Sequence, residues 1–178
     1  MKVIDTKFKG LKIIQQKRIG DSRGNLRETF RKKIIKWDNL IFDYATSSRK
    51  NVIRGFHFQT KCPQAKFVTV LKGRILDYVV DLRKKSKTFG KSLSIELSEH
   101  NCKSLYIPEG FGHAYYSFSN LNIIYYKLSN YYEPKYEDGI LWNDKSLKFK
   151  WPVLKPIISK KDKKLKTFED FKKIYKGL

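Results

Sequence analysis

Short runs of alternating apolar and polar residues dominate the chain, and turn residues separate them about every 8–12 positions. Successive side chains of a strand point to opposite faces of a sheet, so this two-residue period is typical of half-buried β-strands. The predicted strands span residues 11–20, 25–30, 52–59, 67–71, 74–83, 89–98, 104–119 (as a pair) and 122–132. No helical pattern alternates with them, so the sequence predicts an all-β sandwich or barrel.

Turn residues suggest how neighbouring strands connect. The Lys72-Gly73 pair is predicted to close a hairpin between the strands on either side, and residues 108–110 (Pro-Glu-Gly) to join the pair within 104–119. Residues 20–24 (GDSRG) form a further turn. Residues 31–40 give only a weak helical or irregular pattern, around Ile34, Ile35 and Trp37.

The composition changes after Trp151-Pro152. Residues 155–178 are rich in lysine and end in a helical pattern in which Phe168, Phe171 and Ile174 share one face. We therefore expect a terminal helix docked on the body rather than a linker. The whole chain, residues 1–178, is interpreted as one domain with a jelly-roll core over about 10–152 and a lysine-rich segment and helix over 153–178.

Charge narrows the choice of partners. The 178 residues contain 39 Lys+Arg against 17 Asp+Glu, a formal net charge of +22. This excess favours an anionic partner, whether nucleic acid, a membrane surface or a phosphorylated small molecule, but it also fits a solvated basic surface. No apolar run is long enough for a secretion signal or a membrane span, and two isolated cysteines form no disulfide framework, so we expect a cytoplasmic protein.

Residues 51–66 (NVIRGFHFQTKCPQAK) concentrate the candidate chemistry. They place Arg54, His57 and Lys66 close together in a strand pattern, where such polar groups are costly to bury without a ligand. Alternation predicts Arg54 on the face of Val52, Phe56 and Phe58, and His57 on the opposite face with Ile53 and Gln59. The glycine at position 55 indicates a bulge or a close backbone approach.

The histidines are compatible with two kinds of site, a metal site and a proton-transfer site. His57 and His113 lie on apolar strands, whereas His100 lies in a polar turn. A metal site in a β-barrel would want His-x-His and a nearby carboxylate, but Gln59 follows His57 and no acidic residue occurs before Asp77, so we expect no metal. The alternative is removal of a proton beside a carbonyl, with Lys66 stabilising the enolate. A satisfied core histidine explains the pattern equally well.

Longer motifs then occur in a fixed order: GDSRGNLRETF, NVIRGFHFQ, the lysine of AKFV, KSLYIPEGFGHAYYSFS, IIYYKLSNYYEP, DGILWNDKSLKFKWP and ISKKD. Together, over about residues 15–162, they resemble the dTDP-4-dehydrorhamnose 3,5-epimerase family. The resemblance implies a cupin-type jelly roll (double-stranded β-helix) with a short C-terminal helical segment. It also implies a homodimer that exchanges N-terminal strands, with no membrane or nucleic-acid partner.

The activity implied by the resemblance is that of an isomerase. It would invert C3, C5 or both of a nucleotide-diphosphate-linked 4-keto-6-deoxy sugar, hexose or heptose, through an enolate. No metal or other cofactor would take part, and the product would serve a surface polysaccharide such as capsule or O-antigen. A C3-only epimerase, a sugar-binding cupin without catalysis and a polyanion-binding β-barrel remain alternatives.

The resemblance assigns the catalytic roles position by position. His57 matches the general base and Asp162 its paired carboxylate, which would fix the imidazole tautomer and stabilise the imidazolium. Lys66 matches the lysine beside the enolate oxygen. Tyr126 matches the acid that returns a proton from the opposite face, so Tyr125 should face away.

The resemblance also marks further substrate-binding positions: Arg23, Glu28, Arg54, Gln59, His113, Glu137 and Lys161. The two arginines would hold the diphosphate, because a planar guanidinium suits phosphate oxygens. Glu28 could equally be a plain surface carboxylate, and Lys161 one more solvated lysine.

The chain departs from its relatives where the nucleobase is expected. Phe42, Asp43 and Tyr44 stand where relatives carry a Gln-Asp/Glu-Asn run, and Leu26 where an aromatic residue is common. Lost amides remove hydrogen bonds to one base edge, whereas aromatic rings favour stacking. The departure predicts a nucleotide other than dTDP, with GDP as the first alternative, unless Phe42 and Tyr44 are core or interface residues.

Overall fold

The computed structural model describes residues 1–36 and 39–178, and most of the strands lie in two sheets. In spatial order the six-stranded sheet contains β1 (Lys2–Asp5), β2 (Lys12–Gln15), β10 (Lys103–Ile107), β7 (Lys66–Lys72), β12 (Asn122–Leu128) and β5 (Phe42–Ser48). The five-stranded sheet contains β13 (Glu137–Gly139), β6 (Ile53–Gln59), β11 (Phe111–Ser117), β8 (Arg74–Asp81) and β9 (Ser92–Ser98). A separate hairpin pairs β3 (Arg18–Asp21) with β4 (Gly24–Arg27).

The chain crosses repeatedly between the two large sheets. It runs from β6 in the five-stranded sheet to β7 in the six-stranded one, back to β8 and β9, across to β10, back to β11 and across to β12. Neighbouring strands within each sheet are antiparallel. This arrangement is a jelly roll, which confirms the predicted all-β fold.

The two predicted strand pairs are wrong in their pairing. Lys72-Gly73 and residues 108–110 do connect consecutive strands, but the strands they join belong to different sheets. Gly73 makes one of these corners with a φ of +83°, and a Cβ there would lie 2.4 Å from the Leu121 carbonyl oxygen. Only glycine fits this close approach without a backbone shift.

The main core lies between the sheets. Val68, Val70 and Ile124 of the six-stranded sheet pack against side chains such as Ile75 and Val79 of the five-stranded sheet. Every one of these side chains is almost completely buried. Alternation along each strand supplies this inner layer, as the two-residue period predicts.

The C-terminal helix packs on the outer face of the five-stranded sheet. Helix α1 (Phe168–Tyr175) follows two short 3₁₀ turns (Pro134–Tyr136 and Asp162–Lys164), and its N-cap Thr167 accepts a hydrogen bond from the Asp170 N–H. The ring of Phe171 contacts Phe58 at 5.4 Å, so the predicted docked helix is confirmed. Ile174 is 58% exposed, contrary to prediction, and Tyr175 packs on Phe58 in its place.

The N-terminal region differs most from the predicted strands. The single strand expected over 11–20 is two strands, β2 and β3, which belong to different sheets. The 20–24 turn closes the β3–β4 hairpin, whose apolar residues Ile19 and Leu26 are 59% and 67% exposed. Ile35 is buried in an outer apolar cluster, whereas Trp37 lies outside the described residues. None of the helices described is long and apolar enough to cross a membrane.

Candidate active site

A cleft of about 540 Å³ lies between the two sheets and is closed on one side by residues 157–162. That segment follows the last strand and is tied to the body where Ile157 bridges to Val52. Ten of the predicted site residues line this cleft: Tyr44, Arg54, His57, Gln59, Lys66, His113, Tyr126, Glu137, Lys161 and Asp162.

Four predicted residues lie outside this cleft. Arg23 is at the tip of the β3–β4 hairpin, where its side chain is 88% exposed and pairs with Asp21. Glu28 pairs with Arg31. Phe42 packs at the rim against neighbouring rings, and Asp43 points to the other face of β5, where it accepts a hydrogen bond from the Tyr125 hydroxyl. Strand alternation explains Asp43, because its neighbour Tyr44 faces the cleft.

A bulge in β6 turns Arg54 towards the cleft. His57 pairs with His113 and Arg54 with Tyr115, so two residues of β6 oppose the single Ala114 of β11. The extra residue reverses the alternation, which corrects the predicted face of Arg54: it lines the cleft together with His57. Gly55 makes the bulge possible at a φ of +109°, since a Cβ there would lie 2.3 Å from the His113 carbonyl oxygen. The predicted bulge or close approach is therefore confirmed.

His57 is held by Asp162. The imidazole Nε2 lies 3.0 Å from Asp162 Oδ1, and Asp162 Oδ2 accepts a hydrogen bond from the Gly55 N–H at 3.1 Å. Burial raises the pKa of Asp162, but the hydrogen bond and charge of His57 and the Gly55 N–H outweigh burial and leave that pKa below its ordinary value. Asp162 is thus kept ionised, and Nδ1 of His57 remains for other chemistry.

A second carboxylate lies on the Nδ1 side of His57. Glu137 Oε1 is 3.8 Å from Nδ1, and Oε2 accepts hydrogen bonds from Tyr132 and Lys161. Burial raises the pKa of Glu137, but these hydrogen bonds and the charge of His57 lower it overall. Lys161 is therefore an ion-pair partner at the cleft rather than a free surface lysine.

Lys66, His113 and Asp77 form a buried polar group at the bottom of the cleft. Burial lowers the pKa of Lys66 to about 8, against the opposing charges of Glu137 and Asp77. His113 Nε2 lies 2.8 Å from Asp77 Oδ2, and burial raises the pKa of Asp77 although His113 and Lys66 oppose this. Sequence reasoning missed Asp77; the only signal was a carboxylate within the apolar strand RILDYVVD.

Two tyrosines of β12 face opposite ways, as predicted. Tyr126 is buried in the cleft, and Tyr125 lies on the outer face beside Asp43. Burial, with the nearby hydroxyls of Tyr115 and Tyr44, raises the pKa of Tyr126 well above its ordinary value. The phenol therefore keeps its proton at neutral pH.

Arg54 and Gln59 differ in how their hydrogen-bonding groups are used. Arg54 donates to Ser48 Oγ at 3.1 Å and to the Ser47 carbonyl oxygen, yet it remains exposed at the cleft. The Gln59 amide instead donates to the Cys62 carbonyl oxygen at 2.7 Å and accepts from the Glu133 N–H at 2.7 Å. Gln59 thus fixes the loops beside the cleft, with both ends of its amide used by the backbone.

The geometry defines a class of site. A histidine with a carboxylate on its far nitrogen, a buried lysine and a protonated tyrosine share one cleft, which is a set suited to moving protons next to a carbonyl. Within the described residues, no three His, Cys, Asp or Glu side chains are gathered as metal ligands would be. The fold and the cleft define a jelly-roll protein with a proton-transfer site.

Comparison with known proteins gives the family. The model of the dTDP-4-dehydrorhamnose 3,5-epimerase family matches residues 5–170. A relative of that name from Shigella flexneri is 38% identical over 176 residues, covering 96% of this chain and 97% of the relative. The chain belongs to the dTDP-4-dehydrorhamnose 3,5-epimerase family and is an isomerase acting on a sugar nucleotide.

Two solved structures are similar to this chain over nearly its whole length. The Bacillus anthracis dTDP-4-dehydrorhamnose 3,5-epimerase, crystallised with TDP and pyrophosphate, has a TM-score of 0.89 and 37% identity, covering 93% of this chain and 98% of that one. The Legionella pneumophila dTDP-6-deoxy-D-glucose-3,5-epimerase, crystallised with dTDP-4-keto-L-rhamnose, has a TM-score of 0.88 and 35% identity, covering 93% and 92%.

Proposed function

We propose that this protein inverts both C3 and C5 of a dTDP-linked 4-keto-6-deoxy hexose. The observation that carries the proposal is the His57–Asp162 pair, 3.0 Å apart, in a cleft that also holds Lys66 and Tyr126. The names of the relatives support the nucleotide and the two carbons.

Each inversion is a pair of proton transfers. His57 takes the proton from the carbon beside the ketone, and the C–H electrons form the enolate, whose oxygen the ammonium of Lys66 stabilises. Tyr126 then gives its proton to the same carbon from the opposite face, and the ketone re-forms. His57 returns its proton to water and the phenolate regains one, so the product is an isomer of the substrate.

The remaining polar residues have binding roles in this scheme. The exposed guanidinium of Arg54 suits the diphosphate, while His113, oriented by Asp77, and Glu137, paired with Lys161, suit the sugar hydroxyls. The amide of Gln59 is already occupied, so we assign it to shaping the cleft rather than to direct binding.

Deuterium exchange tests the proposal. The protein is incubated in D₂O with the dTDP-linked 4-keto-6-deoxy sugar, and NMR locates each exchanged and each inverted carbon. Exchange with inversion at C3 and C5 is the expected result. Inversion at C3 alone would replace the proposal with a C3-only epimerase, and no exchange at either carbon would leave a binding protein.

The preferred nucleotide can be tested by comparing the dTDP-linked and the GDP-linked sugar in the same assay. The hypothesis of a GDP sugar depended on Phe42 and Tyr44, but the ring of Tyr44 stacks on Tyr126 and Phe42 packs on Tyr44 and Tyr131. These contacts account for both rings without a nucleobase, so we favour dTDP. A higher kcat/KM for the GDP sugar than for the dTDP sugar would reverse this choice.

We also propose a homodimer in which the β3–β4 hairpin reaches the cleft of a second copy. The hairpin is outside both large sheets, exposes Ile19 and Leu26, and carries Arg23 away from its own cleft. If Arg23 serves the partner's site, mixing and re-assembling inactive Arg23→Ala and His57→Ala proteins creates one intact site per mixed dimer. Recovered activity supports the exchange; a monomer in analytical ultracentrifugation, or no recovery, contradicts it.

A further inference from the structure

Tyr44 and Tyr126 form a cross-strand pair inside the cleft. They are directly opposite in the β5–β12 register, and both line the cleft. Their ring centroids are 4.9 Å apart with an interplanar angle of 27°, so the rings are stacked. The stacking contact packs the two rings against each other within the cleft.

Tyr44 is the more exposed ring of the stacked pair, and half-buried Phe42 lies next to it. Tyr126 is 4% exposed and Tyr44 is 37% exposed; Phe42, next to Tyr44, contacts Tyr131, which is 59% exposed. Tyr44 thus stands between the buried phenol and the open rim. The ring of His113 also contacts Tyr126, at 5.9 Å and edge-on, from the opposite sheet.

We propose that Tyr44 is a positioning residue for proton return: its ring fixes the ring of Tyr126 by stacking and screens it from water. The proposal builds on the proposed epimerisation with Tyr126 as acid. It gives Tyr44 a role at the reacting sugar carbons and none at the nucleobase.

The physical reason is the edge position of Tyr44. β5 is the last strand of the six-stranded sheet, and among residues 1–36 and 39–178 no further strand lies beyond Tyr44 to hold Tyr126 on that side. Without the stacked ring, Tyr126 could turn about its side-chain bonds and water could enter beside it. A catalytic group displaced by about 1 Å loses roughly a hundredfold in rate. His57, on the opposite sheet, would be unaffected.

The expected consequence is a selective one. In Tyr44→Ala, deuterium exchange by His57 should continue, while inversion falls roughly tenfold to a hundredfold relative to exchange. Tyr44→Phe keeps the ring and should keep the wild-type ratio of inversion to exchange. Tyr44→Leu, which retains bulk without a planar face, serves as a second variant if the alanine protein folds poorly.

Two controls separate positioning from general damage. Tyr125→Ala changes the neighbouring residue on the outer face of β12 and should leave the ratio unchanged. In the Tyr126→Phe background, Tyr44→Ala should cost no further inversion, because Tyr44 acts through the lost hydroxyl.

The outcomes are distinct. Equal loss of exchange and inversion in Tyr44→Ala, additivity with Tyr126→Phe, or a loss in Tyr44→Phe as large as in Tyr44→Ala would each overturn the positioning role. So would a change confined to the KM difference between dTDP and GDP sugars, which would indicate a nucleobase platform. Absence of exchange in the wild-type protein would instead contradict the proposed function itself.

Discussion

Lys66 should make the reaction sensitive to alkaline pH. Its side chain is only 8% exposed, and burial lowers its pKa to about 8 although the charges of Glu137 and Asp77 oppose that. Enolate stabilisation needs the ammonium form. Tyr126 keeps its proton at pH values well above the pKa of Lys66, so a loss of activity at alkaline pH should reflect deprotonation of Lys66.

The size of the effect follows from the pKa. With a pKa of about 8, about nine-tenths of the Lys66 side chains carry their proton at pH 7 and only about one-tenth at pH 9. The turnover number should therefore fall roughly tenfold between these pH values. A lysine with an ordinary pKa would give almost no change over the same interval.

The assay is the initial rate of deuterium incorporation at saturating substrate, between pH 6 and pH 10. The matched variant is Lys66→Arg, whose guanidinium stays protonated throughout. It should be slower at pH 7, because its shape differs, but it should lack the alkaline decline. A flat wild-type profile, or an unchanged decline in Lys66→Arg, would refute the assignment of Lys66 as the titrating cation.

The same pKa affects stability. Between pH 8 and pH 10.5 the unfolded chain holds a proton on Lys66 that the folded protein lacks, so stability should rise with pH across this window. Below pH 8, keeping the ammonium buried costs about 3 kcal/mol, since each pKa step of one corresponds to ~1.4 kcal/mol. Lys66→Met should lose this pH dependence in thermal unfolding.

Three further predictions concern the remaining chemistry. His57→Asn should abolish exchange at C3 and C5 alike, by ~10²–10⁴ or more, with the fold intact by circular dichroism; near-normal exchange at either carbon would exclude His57 as the single base. Tyr126→Phe should retain exchange but form less inverted product, and normal inversion would point to water or another acid. Activity should survive EDTA, whereas one stoichiometric metal ion per chain, with activity lost on its removal, would contradict the metal-free scheme.

Local pattern was sufficient for some parts of the fold and insufficient for others. Alternation identified β6, β8 and β12 and predicted that Tyr125 faces away from Tyr126, because burial of one face of a strand leaves a direct mark in sequence. It could not tell that β7 and β8 lie in different sheets, since pairing depends on residues far apart in the chain. Asp77 was missed for the same reason: its partner His113 is 36 residues away.

The bulge at Gly55 shows how one residue can change a predicted site. Alternation placed Arg54 and His57 on opposite faces, yet both line the cleft because two residues of β6 share one partner in β11. Gly55 indicated where the bulge lies. The reversed direction of the Arg54 side chain, however, depends on the register in which β6 pairs with β11. Arg23 and Glu28 were predicted from a motif and not from strand alternation. The structure places Arg23 in the β3–β4 hairpin and Glu28 beside it.

The late position of Asp162 bears on how the protein matures during synthesis. Asp162 follows His57 by 105 residues and comes after β13, the last strand of the two large sheets. A nascent chain can therefore complete both sheets, including Glu137 of β13, while His57 still lacks the Asp162 carboxylate and the cleft lacks its 157–162 wall. The jelly roll would therefore form before His57 has its Asp162 partner. The active site would become complete only when residues 157–162 emerge, and not when the two sheets close.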